Sequence, residues 1–448
     1  MATPPQGAAV LEKALALALA AGAEAADAIL FAETALSATV RLGAREDIAR
    51  AETTELGLRV FIGGRQAMAS SADLKPHALA ELAARAVAMA RLAPPDPYAG
   101  LADPSRLSRG TALDLDLDDG VERPVENLFA AALASEDAAR AVPGVSNSEG
   151  ASAHWSRSHM RLATSAGFEA AQSATASSLS VSVIAGEGNA MERDYAFSSA
   201  RHWTDLEAPE TVGRRAGNRA VRRLLPTRIK TGAMPVVFDP RVAGGLVSHF
   251  AAAINGQAVA RGTSFLRKKM AARVFAPGIR IVDDPLRRRG LRSRPFDGEG
   301  VASKPCTLVA DGVLESWLLD SATARQLGLA TTGHAARAPA SAPAPAPSNL
   351  YLAPGAVTPA ALIEDMSAGF YVTELIGMGV NPVTGDYSRG AAGFLIENGE
   401  VTRPVAEVTI AGNLLDMFAA LTPANDLQFR YGIDAPSLRI ETMMVAGA

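Results

Sequence analysis

Val60-Phe-Ile-Gly-Gly-Arg-Gln-Ala-Met68 sets a strand-like triplet on each side of a Gly63-Gly64 pair, the arrangement of a β-hairpin with a tight turn. Upstream, residues 27–42 and 57–62 are short alternating or β-rich runs, and residues 8–22 read as an alanine-rich helix. Downstream, Leu79, Leu82, Val87 and Leu92 recur at helical spacing and predict a second helix from about Leu79 to Leu92. Helix, antiparallel strands, helix is the order of an α+β unit whose helices share one face of a sheet.

The 448 residues are enough for about three domains or two large ones. Ala93 to Pro104 is rich in Pro, Asp and Gly, and Leu113 to Asp119 alternates Asp with Leu, so the whole reads as a boundary linker. Beyond it, Val125 to Val142 is helical, residues 144–200 suggest several antiparallel strands, and a basic helix runs from Pro209 to Leu225. Pro235-Val-Val-Phe238 then leads as a strand into a helix at about Arg241–Ile254. Two hairpins follow, Thr307 to Leu319 around Asp311-Gly312 and Gly393 to Val408 around Asn398-Gly399. The expected organisation is an N-terminal α+β domain over 1–95, a central domain of helices and antiparallel strands over 118–227, and a β-rich C-terminal domain with short helices over 233–448. Ala335 to Ser348 alternates Ala with Pro and is expected to be a semi-extended, mobile loop.

Composition narrows the function classes. Hydrophobic residues make up 48% and charged residues 20%, ordinary for a chain that buries a core. A net charge of −4 argues against a dedicated nucleic-acid binder. Met1 to Glu12 lack Lys and Arg, unlike a secretory n-region, and no run approaches the roughly 18 apolar residues of a membrane span. The single cysteine, Cys306, excludes an internal disulfide framework and fits a reducing compartment, so a cytoplasmic location is expected.

The residues offer no self-contained catalytic constellation. None of His77, His154, His159, His202, His249 and His334 forms a His-Glu-x-x-His pair. His154 and His159 are five apart in a strand segment and therefore point to opposite faces. Cys306 sits in a strand entering a hairpin, where a cysteine is a small buried hydrophobe. Arg287-Arg288-Arg289 with Arg292 and Arg294 lies beside Asp283-Asp284, Asp297 and Glu299, which reads as a solvated loop or an ion-pair network.

The C-terminal region carries a set of ordered strings. They include Arg261-Gly-Thr-Ser-Phe-Leu266, Ile281-Val-Asp-Asp-Pro285, Gly290-Leu-Arg-Ser-Arg-Pro-Phe-Asp-Gly-Glu-Gly300 and Gly312-Val-Leu-Glu-Ser-Trp-Leu-Leu-Asp320. Thr373-Glu-Leu-Ile-Gly377, Gly379-Val-Asn-Pro-Val-Thr-Gly-Asp-Tyr-Ser-Arg-Gly390, Ile396-Glu-Asn-Gly399 and Val405 to Met417 complete the set. On these strings the chain resembles the TldD/PmbA family, and specifically its PmbA (TldE) branch.

The resemblance implies a two-subunit, hollow zinc-protease assembly that acts on small or unfolded polypeptides. In that family the TldD-type subunit carries His-Glu-x-x-x-His on a helix, plus a later cysteine, as zinc ligands; three protein ligands leave a position open for water. Setting Gly256 on the family's glycine after that motif places Val247, Ser248 and Ala252 at the ligand and base positions, and no cysteine follows Asn425. The resemblance therefore implies a subunit with no cofactor of its own, with zinc in a TldD-type partner, leaving open whether this chain is itself an enzyme. It also implies extended or unfolded polypeptide as substrate. Arg261, Thr263, Phe265, Asn381, Asp386, Tyr387 and Arg389 are the candidate cleft or interface residues, and turn or packing roles suit them equally. A second reading is a non-enzymatic binding or regulatory homodimer; a third is a metallopeptidase using His154, His159 or His249.

Overall fold

The computed structural model describes residues 4–109 and 113–447. Its N-terminal half begins with α1 (Pro4–Ala20), β1 (Ala25–Arg41), β2 (Ala44–Ile62), β3 (Arg65–Ser71) and α2 (Pro76–Leu92). It continues with α3 (Val125–Arg140), β4 (Val145–Thr164), β5 (Glu169–Ala185), β6 (Glu192–Ala200) and α4 (Pro209–Arg222). The strands form one antiparallel sheet in the order β3-β2-β1-β4-β5-β6, so the regions before and after the linker share a sheet through the β1–β4 ladder.

The alternation of β1 explains how the helices are placed. Ala26, Ala28 and Leu30 pack under α1 and α2, and Leu36, Ala38 and Val40 pack under α3 and α4. These even positions share one face of a strand, so all four helices lie on the same side of the sheet. The Gly63-Gly64 turn is present, with φ of 55° and 67°, the left-handed values a two-residue hairpin turn requires.

Several boundaries differ from the sequence reading. The first strand pair runs far beyond 57–62, because the charged stretch from Arg45 to Glu55 pairs with β1 as an exposed ladder. Its charges suit a strand whose side chains meet water, and the apolar alternation used to find strands is absent there. Of the expected stripe on α2, Leu79, Leu82 and Val87 are buried while Leu92 is 88% exposed at the last position. Helices α3 and α4 end two to three residues earlier than expected, at Arg140 and Arg222. The linker also packs: Leu115 and Leu117 are buried against Ala174 of β5.

The C-terminal half holds β7 (Gly232–Phe238), α5 (Pro240–Ala253), α6 (Gly256–Ala260), β8 (Ile281–Asp283), β9 (Cys306–Ala310), β10 (Val313–Leu314) and α7 (Ser321–Leu327). After these come β11 (Ala335–Ala336), β12 (Ala344–Pro345), β13 (Leu350–Leu352), β14 (Ala368–Ile376), β15 (Asp386–Glu397) and β16 (Glu400–Asn413). The chain closes with α8 (Leu414–Ala419), β17 (Leu421–Pro423), β18 (Ile433–Asp434) and β19 (Leu438–Ala446). One sheet runs β16-β15-β14-β7-β19-β17 and closes on itself through β16–β19; a second runs β10-β9-β8-β13-β18. Between them lies the main core, where the Phe275 and Phe418 rings stack at 4.4 Å and Phe250 meets Phe275 edge-on at 5.2 Å.

The Ala/Pro segment is not the loose loop its composition suggests. Ala335–Ala336 pairs with Ala344–Pro345 as a short hairpin, and the Pro339 carbonyl presses on Gly57 of β2, where an added Cβ would lie 2.0 Å away. Arg337, the segment's only charged residue, inserts a fully buried side chain that donates to Asp27 of β1. Composition misses this because the partner of Arg337 lies 310 residues away, in β1. The segment straps the C-terminal half to the N-terminal sheet.

Nearby, Asp297 accepts hydrogen bonds from the backbone N–H groups of Glu299, Val301 and Ala335. Burial and the Glu299 carboxylate nevertheless push its pKa up from 3.8 to about 7. A carboxyl whose folded pKa is raised keeps a proton that the unfolded chain gives up. Stability is therefore expected to fall, by up to about 4 kcal/mol, as pH rises from about 4 to about 7, with no further loss above that window. Urea titrations at pH 5 and pH 8 check the slope, and Asp297→Asn is expected to flatten it.

Candidate functional site

Helix α5 starts at Asp239, whose side chain accepts from the Arg241 N–H, and buries Ala243, Leu246, Val247, Phe250, Ala251 and Ala253. Of the three positions matched to the zinc motif, Val247 is buried and apolar and Ala252 offers only a methyl group. The Ser248 hydroxyl donates to the Gly244 carbonyl at 3.0 Å. These side chains do not fit a zinc ion, which needs three N, S or O ligands around an open position. Among the described residues, no three His, Cys, Asp or Glu side chains are grouped so as to hold a metal.

The other candidate ligands are scattered. His154 pairs with Ser37 and His159 with Ala32, placing them on opposite faces of the N-terminal sheet as expected. His249 lies in the other half, its ring 6.0 Å from the Tyr387 ring at 77°, and burial followed by the Arg389 guanidinium lowers its pKa. Cys306 is half-buried in β9, and burial pushes its thiol up, away from a reactive thiolate.

The seven candidate cleft or interface residues converge beside α5. Arg261 ends α6 by donating its N–H to Gln257, and Thr263 returns to the Ala258 carbonyl through both its N–H and its hydroxyl. The Phe265 N–H then donates to the Pro382 carbonyl at 3.0 Å, which joins this segment to the 376–386 loop. Within that loop Asn381 Oδ1 accepts from the N–H of Val383, and Asp386 accepts from the Thr384 hydroxyl and the Asn413 amide. Those two bonds hold the Asp386 carboxyl below the usual range. Tyr387 is buried against His249, and Arg389 donates from Nε to the Ile376 carbonyl.

Asn381, Asp386, Tyr387 and Arg389 thus shape and anchor the loop, whereas Arg261 and Thr263 turn outward. The surface the loop presents is made of residues outside those seven: Met378, 92% exposed, with Ile376 and Val383, of which only Val383 falls in the 381–390 stretch that the sequence marks as a candidate. A long apolar side chain set between Gly377 and Gly379 was the available signal.

The basic run has a structural explanation. Arg288 and Arg289 pair with Asp116 of the linker, Arg289 also with Asp205, and Arg287 lies over the Phe429 ring. The ion-pair network is present, with partners from distant segments instead of the neighbouring acids. A cleft of about 470 Å3 separates Ile29, Phe31 and Met160 of the sheet from Phe296 and the strap.

Three family models match along the chain: PmbA/TldA metallopeptidase domain 1 over residues 26–90, the central domain over 112–224 and the C-terminal domain over 231–447. The chain is 38% identical to metalloprotease PmbA of Escherichia coli over 98% of its own length and 96% of the relative's. It is 37% identical to a PmbA homologue of Haemophilus influenzae over 97% of its length and 94% of that relative's. A Bacteroides thetaiotaomicron crystal structure, described as a candidate modulator of DNA gyrase, superposes with a TM-score of 0.92 at 27% identity, over the whole of both chains. TldE from Thermococcus kodakarensis shares the fold with a TM-score of 0.88 at 20% identity, over 98% of this chain and 100% of that one. No described helix is long and apolar enough to cross a membrane. On this sequence similarity the chain belongs to the PmbA/TldD metallopeptidase family, in its PmbA branch.

Proposed function

We propose that this chain is the subunit of a TldD/PmbA-type protease that brings no zinc of its own, and that it pairs with a zinc-bearing TldD-type partner in the cytoplasm. The observation that carries this reading is α5. The helix is fully formed and its inner face packed, and setting Gly256 on the family's glycine matches Val247, Ser248 and Ala252, none of them a zinc ligand or base, to the motif positions. In this reading the chain helps enclose the chamber and hold extended or unfolded polypeptide, which sheet edges bind through main-chain pairing with little demand on sequence. The exposed 376–386 loop with Arg261 and Thr263 forms part of the contact with the partner or the cleft.

The test combines the purified chain with its TldD-type homologue and measures cleavage of an unfolded peptide. The expected result is a stable complex that cleaves faster than the partner alone, with no zinc in the isolated chain and about one zinc per pair. A partner equally active alone, with no complex formed, sinks the reading. Stoichiometric zinc in the isolated chain would instead make it a metallopeptidase in its own right.

A further inference from the structure

Between α4 and the C-terminal sheet lies a pocket of about 280 Å3, close to the entrance of α5. Its charged lining is three arginines, Arg219, Arg222 and Arg241, and two aspartates, Asp194 and Asp239. The aspartates are already satisfied. Asp194 takes both terminal nitrogens of Arg241, at 2.8 and 3.2 Å, and Asp239 accepts from the Arg241 N–H and the Tyr371 hydroxyl.

Two of the arginines are not. Among the described residues neither Arg219 nor Arg222 has a carboxylate oxygen within 4.0 Å. Arg219 donates to the Tyr195 carbonyl, and Arg222 lies over the Phe394 ring at 4.8 Å. Burial, then the Arg241 guanidinium, lowers the pKa of Arg219, and the pull of Asp239 and Asp194 in the other direction does not offset it. The remaining wall is apolar, with Ile363, Phe394 and Val401.

A guanidinium pair whose nearest aspartates are engaged elsewhere, facing an apolar wall, favours a carboxylate attached to an apolar group. The volume sits near the lower limit of roughly 300 Å3 for small-molecule sites, enough for one terminal residue and too small for a folded partner. We propose that this pocket binds the C-terminal carboxylate of a polypeptide whose last side chain is apolar, with Arg219 and Arg222 on the carboxylate and Ile363, Phe394 and Val401 around the side chain. The choice of a peptide over a free acid rests on the polypeptide-binding reading above.

The test uses the full chain alone in calorimetric titrations with N-acetyl-Ala-Ala-Leu as the free acid and as the C-terminal amide. The amide is expected to bind at least about ten-fold more weakly, because a neutral end group forfeits charge-assisted bonds to both guanidiniums. Arg222→Gln, an exposed change that leaves the fold intact, and Arg219→Gln should each bring the acid toward the amide's affinity, and Arg219→Lys should recover part of it. Equal binding of acid and amide, no binding of either at millimolar concentration, or unchanged acid affinity in both glutamine variants overturns the proposal. Binding of N-acetyl-leucine as tight as that of the tripeptide overturns it too, by making a small acyl carboxylate the ligand. Because no partner is present, losing the acid preference leaves the subunit reading standing, and failure to form a complex leaves the pocket standing.

Discussion

Replacing Asp27 with asparagine is expected to cost about 3–5 kcal/mol, because it strips the shared counter-charge from two buried arginines. Asp27 Oδ2 accepts from Nε and Nη2 of Arg59, and Oδ1 accepts from Nη1 of Arg337, with all three side chains at most 4% exposed. Burial raises the Asp27 pKa, but the Arg337 and Arg59 guanidiniums outweigh it and hold the carboxyl below 3.8. Its contribution is therefore complete at neutral pH and lost as pH falls through the folded value, the opposite sign to Asp297. An asparagine keeps the shape but offers a neutral oxygen and two N–H donors to groups that are themselves donors. Arg337→Met should cost less, since Asp27 then keeps both bonds to Arg59. Denaturant unfolding of the two variants measures the difference, and limited proteolysis within 335–348 reports release of the strap. Equal stability of Asp27→Asn and wild type would mean that the pair is not what clamps the two halves.

That clamp also marks the limit of what the sequence can tell. Local signals were legible: Gly63-Gly64, Asp311-Gly312 and Asn398-Gly399 each turn a hairpin, and Leu79, Leu82 and Val87 mark the buried side of α2. Pairing across long separations was not. Asp27 and Arg337 are 310 residues apart, and neither has a neighbour that announces its partner. Likewise Arg288 and Arg289 ignore the acids beside them and reach Asp116, because the fold decides which charges meet. The seven site candidates came from resemblance, and the structure brings them together around a loop. It also gives four of them turn and packing contacts, a role the string allowed as readily as a cleft or interface one, with partners the string did not name.

The pocket at Arg219 and Arg222 belongs to the same class. Its cations come from α4 and its apolar wall from the stretch before β14 and from β15 and β16, so no motif spans it.

Gly379→Ala is expected to cost about 3 kcal/mol and to abolish any gain in partner activity. A Cβ built at Gly379 would lie 1.8 Å from the Ser388 carbonyl oxygen, and Gly379 O accepts from the Ser388 N–H at 2.6 Å. Two backbones therefore touch, and no rotamer change relieves the overlap; either the 376–386 loop lifts or β15 shifts. The displacement would reach Tyr387, the next residue toward the turn and the one packed on His249. Gly377→Ala is the matched control: nothing stands within 4 Å of its Cβ, so only the left-handed φ of 82° is strained, at roughly 1–2 kcal/mol. Met378→Ser then separates fold from surface. At 92% exposure the methionine holds no core together, so its loss should leave unfolding unchanged while, on the proposed pairing, weakening association with a TldD-type homologue. If Gly379→Ala lowers stability and Met378→Ser leaves both association and activity at wild-type levels, the loop is a packing element and the contact surface lies elsewhere. If Met378→Ser alone weakens the complex, the exposed tip of this loop is where the partner binds.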